Sequence, residues 1–103
     1  MKKPIYQKTL KVGKHGNGKR ITLWHKSMIA AGFDFGTKIT LKRVKNGFKI
    51  VPDDDGKRTV ASVINHGTRL PVIDIKGKIL DELTATHVEV KFVDNLITIR
   101  EAN

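Results

Sequence analysis

The chain has 103 residues, no cysteine, 39% hydrophobic residues and a formal net charge of +10. That length sets one domain, 1–103, with a single modest core, and the missing thiols exclude disulfides and thiolate metal sites. No apolar run approaches the roughly 20 residues of a membrane-spanning helix, and no apolar segment follows Met1-Lys2-Lys3-Pro4, so the expectation is no membrane partner, no signal peptide and a cytoplasmic location.

In chain order, Lys8-Thr9-Leu10-Lys11-Val12 alternates with the period of a strand, Leu10 and Val12 inward. Gly13 to Lys19 is a glycine-rich basic turn, able to approach a phosphate or simply to link two strands. Its spacing is not that of a nucleotide-binding P-loop. Arg20-Ile21-Thr22-Leu23 is a second strand. Trp24, Met28 and Ala31 then recur at helical spacing, and Gly32 suits a left-handed helix stop. This places Trp24 in the core; the alternative is an exposed ring that stacks on a base. Phe33, Phe35, Phe48 and Phe92 fit inward positions. Thr37 to Pro52 forms a hairpin through Asn46-Gly47, a turn pair that accepts positive φ.

The second half begins with the polar joint Asp53-Asp54-Asp55-Gly56-Lys57. Thr59 to Val63 is a weak strand, Ile64 to Arg69 a turn, and Pro71 to Ile75 a strand with proline in its first position. Lys76 to Thr84 is a short helix burying Ile79, Leu80 and Leu83. His87 to Val93 and Leu96 to Arg100 form a last hairpin around Asp94-Asn95. Strand, turn ending in arginine, strand, short helix and hairpin thus occur twice, about 50 residues apart. Two ββαββ-like units can close on each other into one barrel, or hairpins can exchange between chains into a homodimer.

Charge is divided unevenly. Residues 1–52 carry thirteen Lys/Arg against Asp34 alone, and residues 53–103 carry seven against nine acids. A basic half attracts polyanions, so nucleic acid is the expected partner of 1–52. The acidic half, 53–103, is left for dimerisation or a protein partner. His15, His25, His66 and His87 lack metal-ligand spacing, three consecutive aspartates splay apart, and neither Ser27 nor Ser62 lies in a nucleophile motif. No metal, cofactor or catalytic residue is expected, and no enzyme. With six aromatics in the chain, most needed for the core, a duplex partner is favoured over a single strand.

The run from Arg20-Ile21-Thr22-Leu23 through Ala30-Ala31-Gly32-Phe33, with Gly36-Thr37 and the hairpin to Val51, resembles the AbrB/MraZ/SymE swapped-hairpin superfamily. Leu70 to Ile75 and the final hairpin extend a similarity to the N-terminal accessory domain of phage-type DNA cytosine-5 methyltransferases. The chain ends at Asn103, so the expectation is a free-standing relative. The resemblance implies a mainly-β fold with short helices, an AbrB-like swapped-hairpin, double-psi-type barrel. It implies binding of double-stranded DNA in transcriptional control, in a phage or other mobile element. Arg20 matches the family's turn arginine, Lys11 lies on the matching first strand and Lys26 near the helix start. Met28 and Ile29 stand where the family carries paired arginines. The expected DNA-binding residues are Lys8, Lys11, Lys14, His15, Lys19, Arg20 and Lys26, aided by Lys42, Arg43 and Lys45. A SymE-like RNA-binding toxin and an accessory or inhibitor protein of a DNA-modifying enzyme are the alternative readings.

Overall fold

A computed structural model describes residues 5–16 and 18–102; the side chain of His15 is outside that description, as are residues 1–4, 17 and 103. Among the described residues ten strands are interrupted by two short helical turns: β1 (Tyr6–Lys11), β2 (Gly13–His15), β3 (Gly18–Trp24), α1 (Ser27–Ala30), β4 (Lys38–Val44), β5 (Gly47–Pro52), β6 (Arg58–Thr59), β7 (Ala61–Asn65), β8 (Thr68–Lys76), a 3-10 turn (Lys78–Leu80), β9 (His87–Val93) and β10 (Leu96–Glu101).

The strands form two antiparallel sheets, ordered β1-β9-β10-β5-β4-β6 and β2-β3-β8-β7. Exchanging each strand of the first half for its counterpart in the second (β1 with β6, β2 with β7 and onward) turns each order into its own reverse. The central contacts of both sheets therefore join the two halves: β3 pairs with β8, and β10 with β5. The expected barrel does not close. Among the described residues each sheet ends in unpaired edges, β1 and β6 in one, β2 and β7 in the other.

Period-two alternation explains the core. Ile21, Leu23, Ile73 and Ile75 point inward from the small sheet; Phe48, Ile50, Val88, Val90, Phe92, Ile97 and Ile99 point inward from the large one. They join Met28, Phe33, Ile39, Leu80 and Leu83 in one apolar cluster. Burying such side chains contributes about 1.5–3 kcal/mol each.

Several expectations are corrected locally. Trp24 is not core: it is 49% exposed. β3 runs through it, so the alternation that sends Leu23 inward sends Trp24 outward. Phe35 is half-buried, with the Arg69 guanidinium 4.2 Å from its ring centre. Asn46 alone takes the left-handed turn conformation, φ 63; Gly47 already belongs to β5 and is pressed against the Ile99 carbonyl. Pro71 lies inside β8 rather than at its start. It is tolerated because β3 pairs with β8 only as far as Val72, so no β3 acceptor waits beside Pro71. The expected helix at 76–84 shrinks to the 3-10 turn, which still buries Leu80. The expected long turn at 64–69 is a two-residue turn, His66 (φ 51) and Gly67 (φ 78), between longer strands.

Candidate nucleic-acid interface

The outward face of the six-stranded sheet is the complement of its apolar inner face. Register places Gln7, Lys91, Thr98, Lys49 and Lys42 in one row across β1, β9, β10, β5 and β4. The next row is Thr9, Glu89, Arg100, Gly47 and Val44. Beyond it Lys11 faces His87. Because neighbouring strands lie about 4.8 Å apart, these cations form a band across the sheet. Lys91 Nζ sits 3.3 Å from Glu89, the acid within these rows. No Phe, Tyr or Trp interrupts the rows; threonine and glutamine lie between the charges.

Of the expected site residues, Lys11 and Lys42 belong to this face, and Lys45 is exposed in the turn that closes β4 and β5. Lys8 and Lys26 lie elsewhere. Lys8 shares the inward side of β1 with Tyr6 and Leu10, at the rim of a cleft that contains His25. The Tyr6 ring stacks on His25 at 3.8 Å, and the Ser27 amide donates to His25 Nδ1 at 3.0 Å, fixing a neutral imidazole. Burial pushes the His25 pKa down, and the charges of Lys26 and Lys8 push the same way. Lys14 is exposed on β2, opposite Lys19. The His15 side chain is outside the described residues.

The remaining expected cations are engaged within the fold. Arg20 Nε and Nη2 donate to the two Asp74 oxygens at 2.8 and 2.9 Å. That hydrogen-bonded pair raises the Arg20 pKa and lowers the Asp74 pKa. Thr22 Oγ1 adds a donor to Asp74 at 3.2 Å. Lys19 Nζ donates to the Leu83 carbonyl. Arg43 donates to Glu82 at 2.7 Å and to the Ile79 carbonyl at 3.3 Å.

Several acids of the second half are likewise in use. Asp53 accepts from Thr40 Oγ1 at 2.8 Å and from the Asp55 amide at 2.9 Å, and both bonds lower its pKa. Glu101 accepts from the Thr84 and Ala85 amides, which lowers its pKa in the same way. Lys49, Lys91 and Arg100 are the cations that sequence reasoning missed. Their signal was the alternation itself: each is the polar partner of buried neighbours at Phe48 and Ile50, Val90 and Phe92, or Ile99. Among the described residues no group of three or more His, Cys, Asp or Glu is placed to hold a metal. No family model, curated protein or solved structure matches this chain.

Proposed function

We propose that this protein binds double-stranded DNA through the outward face of its six-stranded sheet. The observation that carries the reading is the cation band of Lys11, Lys42, Lys49, Lys91 and Arg100, drawn from five strands of both halves. Phosphate contacts of this kind supply affinity by releasing counterions, without base recognition. The absence of aromatic rings from these rows favours a duplex over a single strand, which is held largely by base stacking. Lys45 extends the band at the turn. In this reading the protein is a non-enzymatic cytoplasmic regulator of a phage or other mobile element, of the AbrB-like swapped-hairpin kind. The exchanged pairing of strands between halves supports that kinship.

Fluorescence anisotropy with a random DNA duplex and a matched single-stranded RNA, titrated across salt, tests the proposal. Five phosphate contacts predict a log–log salt slope of about −4.5 for duplex DNA. Tighter binding of RNA would favour the toxin reading; binding to neither would sink the nucleic-acid reading.

A further inference from the structure

Three of the four sheet edges carry a recognisable guard against strand addition. β1 carries Lys8 and Lys11, β2 is three residues long and carries Lys14, and β6 is two residues long and carries Arg58. Short edges and edge lysines are the usual protections. β7 has neither. It is five residues, Ala61-Ser62-Val63-Ile64-Asn65, with no proline and no charge. The stretch from Thr59 to Thr68 contains no Lys, Arg, Asp or Glu, in a chain of which 29% is charged. Ile64 is 75% exposed and Val63 41%.

We propose that β7 is a self-association edge, pairing antiparallel with β7 of a second copy across a twofold axis at Val63. The two-residue turn makes Asn65 and Thr68 a hydrogen-bonded pair, and alternation then assigns ladder bonds to Val63–Leu70 and Ala61–Val72. The main-chain groups of Ser62 and Ile64 therefore aim away from β8. Pro71, which has no N–H, stands opposite Ser62, as that alternation permits. A twofold axis at Val63 sets Ser62 against Ile64 of the second copy and lets the two residues exchange both hydrogen bonds. Val63 meets Val63 at a close, non-hydrogen-bonded position. The two small sheets become one of eight strands.

Charge selects a second copy as the occupant. A polyanion finds no cation on this edge, whereas two copies meet here without placing like charges opposite each other within the strand. Elsewhere a net charge of +10 opposes self-association. Trp24, Val72 and Ala61, with Arg20 and Asp74 behind them, line an open groove of about 640 Å³ beside the edge, which pairing would bring together with its counterpart in the second copy.

Sedimentation equilibrium of the full chain from micromolar to millimolar concentration is the test. The expected result is a reversible monomer–dimer equilibrium. Ile64→Pro removes an outward N–H while leaving the β7–β8 ladder intact, and should weaken the dimer about tenfold or more, with circular dichroism showing a retained fold. Because the chain lacks cysteine, Val63→Cys introduces a single thiol. Opposed Cα atoms at such a position lie about 4.5 Å apart, within disulfide range. Oxidised glutathione should link two copies through that thiol, two thiols giving one disulfide as glutathione is reduced, while Ser62→Cys links poorly. A monomer at every concentration overturns the proposal. So does a dimer indifferent to Ile64→Pro, or cross-linking at 62 in place of 63. A different protein strand bound to this edge of an otherwise monomeric chain overturns it equally.

Discussion

Arg20 and Asp74 lock together through two parallel hydrogen bonds, 2.8 and 2.9 Å, on the outer face of the small sheet. The pair ties β3 of the first half to β8 of the second, on the same-face diagonal two residues from the direct pairing of Thr22 with Asp74. Arg20 is thus committed inside the fold before any phosphate approaches. Arg20→Ala should lower thermal stability modestly, because the pair is partly exposed and screened. The DNA salt slope should change little. A calorimetric melt together with anisotropy across salt separates these effects.

Lys49 and Lys42 stand directly opposite each other in the cation band. Replacing either with alanine should leave the melt nearly unchanged and flatten the log–log salt slope by about 0.9. The double variant Lys49→Ala, Lys91→Ala should flatten it by about 1.8. An unchanged slope in the double variant would remove the sheet face from the binding site.

Gly47 is buried where β5 passes β10, and a Cβ there would strike the main-chain carbonyl of Ile99. The nearest obstructing atoms are all main chain of Ile99 and Arg100, so no side-chain rotamer can relieve the clash. Gly47→Ala should cost about 1–3 kcal/mol, the usual penalty of overpacking. Phe48→Ala, next along the strand and 1% exposed, should cost about 3–5 kcal/mol through the cavity it leaves. Chemical denaturation checks both, and the order Phe48 above Gly47 is part of the prediction.

His25 and the carboxylates Asp74, Asp53 and Glu101 set the pH dependence, and all four have folded pKa values below their unfolded ones. In each case the unfolded chain binds the proton more readily, so stability rises with pH. For His25 the contribution is complete above its unfolded value of 6.5 and is lost as pH falls below it, when protonation breaks the acceptor that holds the Ser27 amide. For Asp74 the loss begins below 3.8. Melting temperature should therefore decline gently below neutrality and steeply in acid. His25→Gln should abolish the first decline and retain the second.

Trp24 is the sole tryptophan and lies half in water. Its emission in the folded protein should already be red-shifted and quenched by acrylamide. Trp24→Ala should cost less than the roughly 3–5 kcal/mol of a fully buried aromatic. A blue-shifted, unquenched folded spectrum would contradict its outward placement.

Local order was legible in the sequence because side-chain direction in a strand depends only on parity. The alternation at Ile21 and Leu23, at Phe48 and Ile50, and at Val88, Val90 and Phe92 marks core positions without knowledge of neighbours. Turn chemistry was legible for the same reason: Asn46, Gly67 and Asn95 adopt positive φ from their own backbone preferences. Trp24 misled because one residue belonged to two periods, and the strand continued where helical spacing also fitted.

By itself the sequence determined a small mainly-β domain, its apolar faces, its turns and its excess of positive charge. Only the tertiary structure decided which charges share a surface. β9 and β10, from the more acidic half, insert between β1 and β5, so Lys91 and Arg100 join Lys11, Lys49 and Lys42 across one sheet. The same pairing withdrew Arg20 to Asp74 and Arg43 to Glu82, partners 54 and 39 residues away along the chain. Parity is written in each strand, but neighbourhood is set by long-range pairing, and a binding face is a property of neighbours.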